Sequence, residues 1–392
     1  MNRLTFPDYD VARATRYARI RRGLAIGQSI TSLGQAAFFI GTGHVERLRQ
    51  RIGAKIHQPE IADAVHLTVL SAETWALGLP ERYISAQRIE RHFGLSRRSD
   101  RAWLSSEITS LTVGTAFSVP LGTAALSVVR RAPEKWHIIL PALGVPVQLA
   151  FVRLAPVLIF PRFNAFTPIE SGELRNRINA LADKAGIELG GVYSIDLSKQ
   201  TERANAFFAG MGSTRRVVLG DTMLRSFQPA EIEGVVAHEI GHQVHGDLWR
   251  MSALNAAGTF AGAFALKWLA PRLAKATSRW TGTDRIDTSG SVPVWGLATG
   301  ALAAAGTPLL LAYSRAVERR TDRYAIGLTE NGQAYAGAMN RLMRQNLDEP
   351  YPPRWWTILF RSHPPTGERI EAALGRVGTG SSVRRGYLQI RG

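Results

Sequence analysis

Residues 238–242 read His-Glu-Ile-Gly-His. Side chains four positions apart share one face of a helix, so His238 and His242 can reach a single metal ion. Glu239 projects beside them, where a carboxylate can take a proton from an attacking water. That is the chemistry of metal-assisted hydrolysis. The chain contains no cysteine, which excludes disulfides, a catalytic thiol and thiolate ligands. A zinc site here must therefore use imidazole and carboxylate, and a catalytic zinc takes three protein ligands with a fourth position left open. Glu318, in SRAVERRTDRYA, is the candidate third ligand. Asp322 follows one turn later, where its carboxylate can hold a ligand imidazole by the other ring nitrogen. His245 competes for the third place. It sits a further turn along the first helix, roughly 10 Å from His238 by helical rise, so joining both other histidines on one ion would strain a straight helix. Two plainer readings stand beside these: surface histidines on an ordinary helix, and a surface ion pair of Glu318 with Arg315 or Arg319.

The elements that would position these residues are legible in outline. A helix is expected to start at Pro229, which suits the first helical position, with Glu231 and Glu233 favourable in the first turn. Ile232, Val235, Val236 and Ile240 give it an apolar stripe. Ahead of it, residues 171–186 place Leu174, Ile178, Leu181 and Ala185 at helical spacing. Three short strand-like runs, Val192–Ile195, Ala204–Ala209 and Arg216–Leu219, are separated by glycine and polar residues, as in a small sheet. The region from about 161 to 251 thus reads as soluble, and the soluble part resumes at about 314.

Around it lie apolar runs. Residues 108–129 and 291–313 contain no charge and are long enough to span a bilayer, which takes about 20 residues. Residues 137–160 carry one charge, Arg153, and residues 253–270 carry Lys267 near one end. Residues 24–43, with Gln28 and Gln35, and 61–80, with Asp63, His66 and Glu73, are weaker; their alternative is a buried or interfacial helix. Polar groups inside a span must face protein or water. The formal net charge is +17 and the pI about 10.9, so an anionic partner is expected. Much of the arginine flanks apolar runs, which favours a lipid surface over nucleic acid, and no nucleic-acid module is recognisable. A mean hydropathy of -0.06 fits a chain part membrane and part soluble. The N-terminus does not read as a cleaved signal peptide. With six spans both termini share one side. The arginines at 3, 13, 16, 19, 21 and 22, and those at 82, 88, 91, 97, 98 and 101, place that side in the cytoplasm.

The order of motifs resembles the Ste24-type CAAX prenyl proteases, a membrane branch of the zinc peptidases related to the HtpX-type proteases. The blocks are residues 81–104, 160–186 and 204–224 (ANAFFAGMGSTRRVVLGDTML), then HEIGH, two membrane runs, the pair Glu318 and Asp322, and RSHPPTGERI at 361–370. They cover most of 81–376; the first 80 residues match only in being partly apolar. The resemblance implies His238, His242 and Glu318 as ligands of one zinc per chain, Glu239 as base, and Asp322 beside the ligands. It implies that Asn205 holds an extended substrate backbone and that His363 donates to the developing oxyanion. Thr321 stands where that family usually has Ala, and Asp247 where it often has His; neither is expected to touch the chemistry. These motifs specify the peptidase machinery and leave the prenylated substrate open.

The expected fold is mainly α-helical: a multi-span membrane bundle joined to a zincin-like α+β metallopeptidase domain. An N-terminal membrane region (1–160, up to four spans) precedes a catalytic domain (161–392) interrupted by a membrane helix pair at about 253–313. The expected function is a gluzincin-type zinc endopeptidase acting on peptides or proteins in a lipid bilayer, without nucleic acid. Its expected place is the cell (inner) membrane, catalytic domain on the cytoplasmic side. The alternatives are an HtpX-like quality-control protease and a non-catalytic zinc-containing scaffold, against which the intact Glu239 argues.

Overall fold

The computed structural model describes residues 3–158, 164–210 and 215–375. The expected domain boundary at 160–161, the Arg153 side chain and the expected helix end at Arg376 lie outside what is described.

Long helices come first. α1 (Val11–Thr42) is capped by Asp10, whose carboxylate accepts from the Arg13 N–H at 2.8 Å. Gly43, at φ 60°, turns the chain into the short α2 (His44–Gly53). α3 (Pro59–Tyr83) continues through a wider π turn into α4 (Ile89–His92). α5 (Asp100–Arg131) starts at a Ser99 cap, and α6 (Trp136–Leu158) follows. Among the described residues, three helices are long and apolar enough to cross a membrane: α1, α5 and the helix at Ser289–Thr329; Trp136–Phe151 is a shorter apolar stretch. The expected runs at 24–43, 108–129 and 291–313 fall in those three helices. The runs at 61–80 and 253–270 lie in long helices of lower apolarity. In α3 the polar groups face protein. Asp63 and His66 are buried, Asp63 accepting from Ser289 Oγ at 2.6 Å and from Arg130 at 2.6 Å.

The second half is built round a small sheet. β1 (Phe166–Pro168), α7 (Glu173–Lys184), β2 (Gly191–Ile195), β3 (Ala206–Ala209) and β4 (Arg216–Gly220) lead into α8 (Asp221–Ser226). The strand order is β1-β2-β4-β3, with β2 parallel to β4 and both outer strands antiparallel. α9 (Pro229–Val244) opens with Pro229 and a reciprocal Gln228–Glu231 capping box, and packs on the sheet. Two long rods follow, α10 (Asp247–Thr281) and α11 (Val292–Thr329). Three shorter helices close the fold: α12 (Gly332–Asn346), α13 (Arg354–Phe360) and α14 (Thr366–Ala373). Ile178, Val217, Leu219, Ile240, Tyr335 and Ile370 form the centre of the core. α11 matters most for the site. One unbroken helix carries the apolar run 291–313 and then Glu318 and Asp322, so the same rod that enters the apolar layer ends beside α9.

Candidate metal centre

α9 and α11 pack closely because Gly241 faces α11. A Cβ there would lie 2.9 Å from Thr321 Cγ2 and 3.0 Å from Tyr324 Cδ1. This approach brings the side chains one turn away together. His238 Nε2 lies 3.3 Å from Glu318 Oε2, and His242 Nε2 lies 3.6 Å from Glu318 Oε1. One donor atom from each of His238, His242 and Glu318 falls within 4.8 Å of the others. The two imidazoles stand edge to face, centroids 4.8 Å apart.

The other ring nitrogens are taken. His238 Nδ1 is 2.9 Å from Asp322 Oδ1, and His242 Nδ1 is 2.9 Å from Asp247 Oδ2. With Nδ1 donating to a carboxylate, each ring keeps an Nε2 lone pair for the shared space. Glu318 is 6% exposed, and among the described residues its Oε2 has no hydrogen-bond partner. A buried carboxylate oxygen left without a donor is costly unless a cation occupies the space it faces. The set of two imidazoles and one carboxylate therefore fits a zinc-sized ion. Glu318 is not the surface partner of Arg315 or Arg319. Arg315 is buried and donates to backbone carbonyls instead, and Arg319 Nη1 donates to Arg315 O. His245 is outside the cluster. Its ring packs against Tyr324, centroids 5.3 Å apart, and its Nδ1 is buried without a partner.

Asp322 is itself held by two groups absent from the sequence reading. Tyr335 on α12 donates to Asp322 Oδ1 at 2.5 Å. Arg369 on α14 grips the carboxylate with Nε at 2.9 Å and Nη2 at 2.6 Å, and Nη2 also donates to the Tyr335 hydroxyl at 2.8 Å. Burial lowers the His238 imidazole, but the Asp322 and Glu318 carboxylates outweigh it and raise it, so a cation at its Nε2, proton or metal, is favoured. Contrary to the expectation from sequence, Asp247 does touch the chemistry. It holds His242 and is also bonded by Arg320 from α11, two residues past Glu318. Thr321 is a packing residue, its Oγ1 donating back to Val317 O at 3.0 Å. Asp247 and Arg369 were findable as charged residues near the motifs; Tyr335 carried no signal.

A cavity of about 580 Å³ opens onto this centre, lined by Asn205, His238, Glu239, Trp356, His363 and Arg369 among others. Burial raises the Glu239 carboxyl, opposed by the neighbouring imidazoles. His363, more than half exposed, sits just ahead of α14, its Nε2 3.4 Å from Glu318 Oε1 and its Nδ1 2.8 Å from Ser362 Oγ. Partial desolvation where the ring meets the cavity wall lowers its imidazole, opposed by Glu318. Asn205 is exposed and leads into the outer strand β3.

A mainly helical membrane protein with a small-sheet catalytic part and a buried two-histidine, one-carboxylate centre is the architecture of a membrane metallopeptidase. Residues 168–377 match the family described as peptidase family M48, and residues 4–165 match CAAX prenyl protease N-terminal, five membrane helices. The chain belongs to peptidase family M48, among membrane metallopeptidases similar to the CAAX prenyl proteases. The match from residue 4 extends the resemblance into the first 80 residues, where the motifs show only partial apolarity. Over residues 4–165 the described residues form four helices of 23 to 32 residues, α1, α3, α5 and α6, against the five in the family description.

The chain is 28% identical over 367 residues to an uncharacterized metalloprotease, YhfN, of Bacillus subtilis, covering 89% of this chain and 85% of that one. It is 34% identical over 195 residues to CAAX prenyl protease 1 of Saccharomyces cerevisiae, covering 50% of this chain and 43% of that protein. The crystal structure of S. mikatae Ste24p superposes with a TM-score of 0.83 at 26% identity, over 93% of this chain and 88% of that one. Neither an HtpX-like protease nor a scaffold is favoured by these relatives.

Proposed function

We propose that the chain is a zinc-dependent endopeptidase of the His-Glu-x-x-His, gluzincin type, holding one zinc per chain on His238, His242 and Glu318. The observation that carries this is the convergence of those three donors round a buried carboxylate oxygen without a partner. When bound there, zinc would supply Lewis-acid polarisation of a scissile carbonyl and of the attacking water. Glu239 takes the water's proton and returns it to the leaving amine. His363 Nδ1 is 2.8 Å from Ser362 Oγ; in the tautomer with that hydroxyl donating, the His363 proton is on Nε2, the donor we assign to a developing oxyanion. Asn205, at the head of the outer strand β3, holds the substrate backbone in an extended form beside the sheet. Asp322 and Asp247 orient the two imidazoles.

The substrate is a peptide or protein at the bilayer. The name of the yeast relative makes prenylated C-terminal peptides the first class to assay. We read the chain as a membrane region at 1–160 and a catalytic domain at 161–392, interrupted by a membrane pair at about 253–313. The arginine-rich segments favour the cell membrane with the catalytic domain cytoplasmic. A peptide-panel assay tests the reading. Wild-type protein should cleave, and Glu239→Gln should keep its metal and lose nearly all turnover. Wild-type turnover in that variant would overturn the assignment of the base.

A further inference from the structure

The short helix α13 is apolar on two sides. Trp356 and Phe360, one turn apart, stack with ring centroids 4.3 Å apart and line the cavity, Phe360 keeping 49% of its surface exposed. Trp355, Ile358 and Leu359, at the spacing of a single helix face, are 48%, 44% and 41% exposed. Such a contiguous set of large apolar side chains marks an interaction surface.

The neighbourhood says what covers it. α13 packs against α11 just beyond the apolar run that ends at Tyr313. Arg315, two residues past Tyr313 and buried, donates to Thr357 O at 2.9 Å and Arg361 O at 2.6 Å, with Ile358 O at 3.4 Å. Helices in water leave their last-turn carbonyls to solvent. Here a protein cation serves that end, as needed where water is scarce. Arg319 and Arg354 are exposed beside the apolar face. Aromatic rings flanked by arginines, level with the end of a membrane run, are the composition of a segment at headgroup depth.

We propose that the Trp355–Ile358–Leu359 face of α13 inserts into the interfacial layer of the bilayer that the long helices cross, making α13 a partition between lipid and the catalytic cavity. The inference goes beyond the zinc reading and rests only on membrane embedding.

Because the chain has no cysteine, a single introduced one is a unique label site. Ile358→Cys and Leu359→Cys, made separately in the full chain, would carry an environment-sensitive fluorophore. The labelled proteins would sit in phosphatidylethanolamine/phosphatidylglycerol vesicles containing lipid with a headgroup nitroxide. Glu188→Cys, on the exposed turn after α7, is the control. Both α13 labels should be quenched several-fold more by the nitroxide lipid than the control, and several-fold less by aqueous iodide. Iodide quenching equal to that of the control would overturn the proposal. So would protection from iodide without lipid quenching, rising with the protein-to-lipid ratio, since a second copy of the chain would then cover the face. Either label site alone decides the question if the other variant fails to fold.

Discussion

Asp247 Oδ2 accepts a hydrogen bond from His242 Nδ1 at 2.9 Å across the junction between α9 and α10. The same carboxylate is bonded by Arg320, on the helix that carries Glu318. One acidic side chain thus ties two proposed ligand helices together and fixes the His242 ring. Where the resemblance implied a histidine, a carboxylate takes this task.

Asp247→Asn should weaken zinc binding roughly 10- to 100-fold, the usual effect of losing a carboxylate behind a ligand imidazole. Chelator competition reads this directly. Asp247→His should recover part of the loss. An unchanged affinity in Asp247→Asn would show that Arg320 and packing alone position His242.

Gly241→Ala should destabilise the protein by about 1–3 kcal/mol, because the added methyl meets Thr321 and Tyr324 at overpacked distances. Thr321→Ala removes the nearer contact, so the double variant should unfold at a higher temperature than Gly241→Ala alone. Strict additivity of the two changes would mean that α9 and α11 do not meet as described.

The chemistry-bearing helix was legible because its signals are local. The four-residue spacing of His238 and His242, Pro229 at the start and the apolar stripe all lie within one element. The sheet was legible in three strands; the three-residue edge strand β1 was not read, and the start of β3 was misplaced. β3 starts at Ala206 rather than Ala204, since the Ala204 N–H bonds Asn346 Oδ1 and Asn205 O accepts from the Gly220 N–H. Those backbone groups are committed to tertiary partners that no local pattern announces. The same holds for Tyr335 and Arg369, whose partner Asp322 lies on another helix. Glu318 was chosen as a carboxylate with Asp322 one turn later, and the order of blocks supported the choice where geometry was missing. The continuity of α11 from the apolar run to Asp322 could not be read from hydropathy, which only marks where lipid-facing residues stop.

His363→Ala should lower kcat by roughly 100- to 1000-fold, the usual effect of losing one oxyanion donor. KM should change little and zinc content stay full. A fall in zinc would make His363 a ligand or its support; a rise in KM alone would make it a substrate-binding residue.

Reporter fusions after residue 105 and at the C-terminus should both report cytoplasm, and fusions near 133 and 280 the opposite side. The end of α5 lies near the loop that follows α10, Arg130 reaching the Asp287 carbonyl at 2.9 Å, and the turn after α5 meets the body of α10, Lys267 reaching the Glu134 carbonyl at 3.0 Å. A C-terminal reporter on the outside would reverse the orientation.

Metal content of the purified protein tests the central claim most directly. Wild-type protein should hold close to one zinc per chain, His245→Ala should retain it, and Glu318→Gln should lose most of it while the fold, read by circular dichroism, persists. A site emptied by His245→Ala and left full by Glu318→Gln would contradict the ligand set on which the account rests.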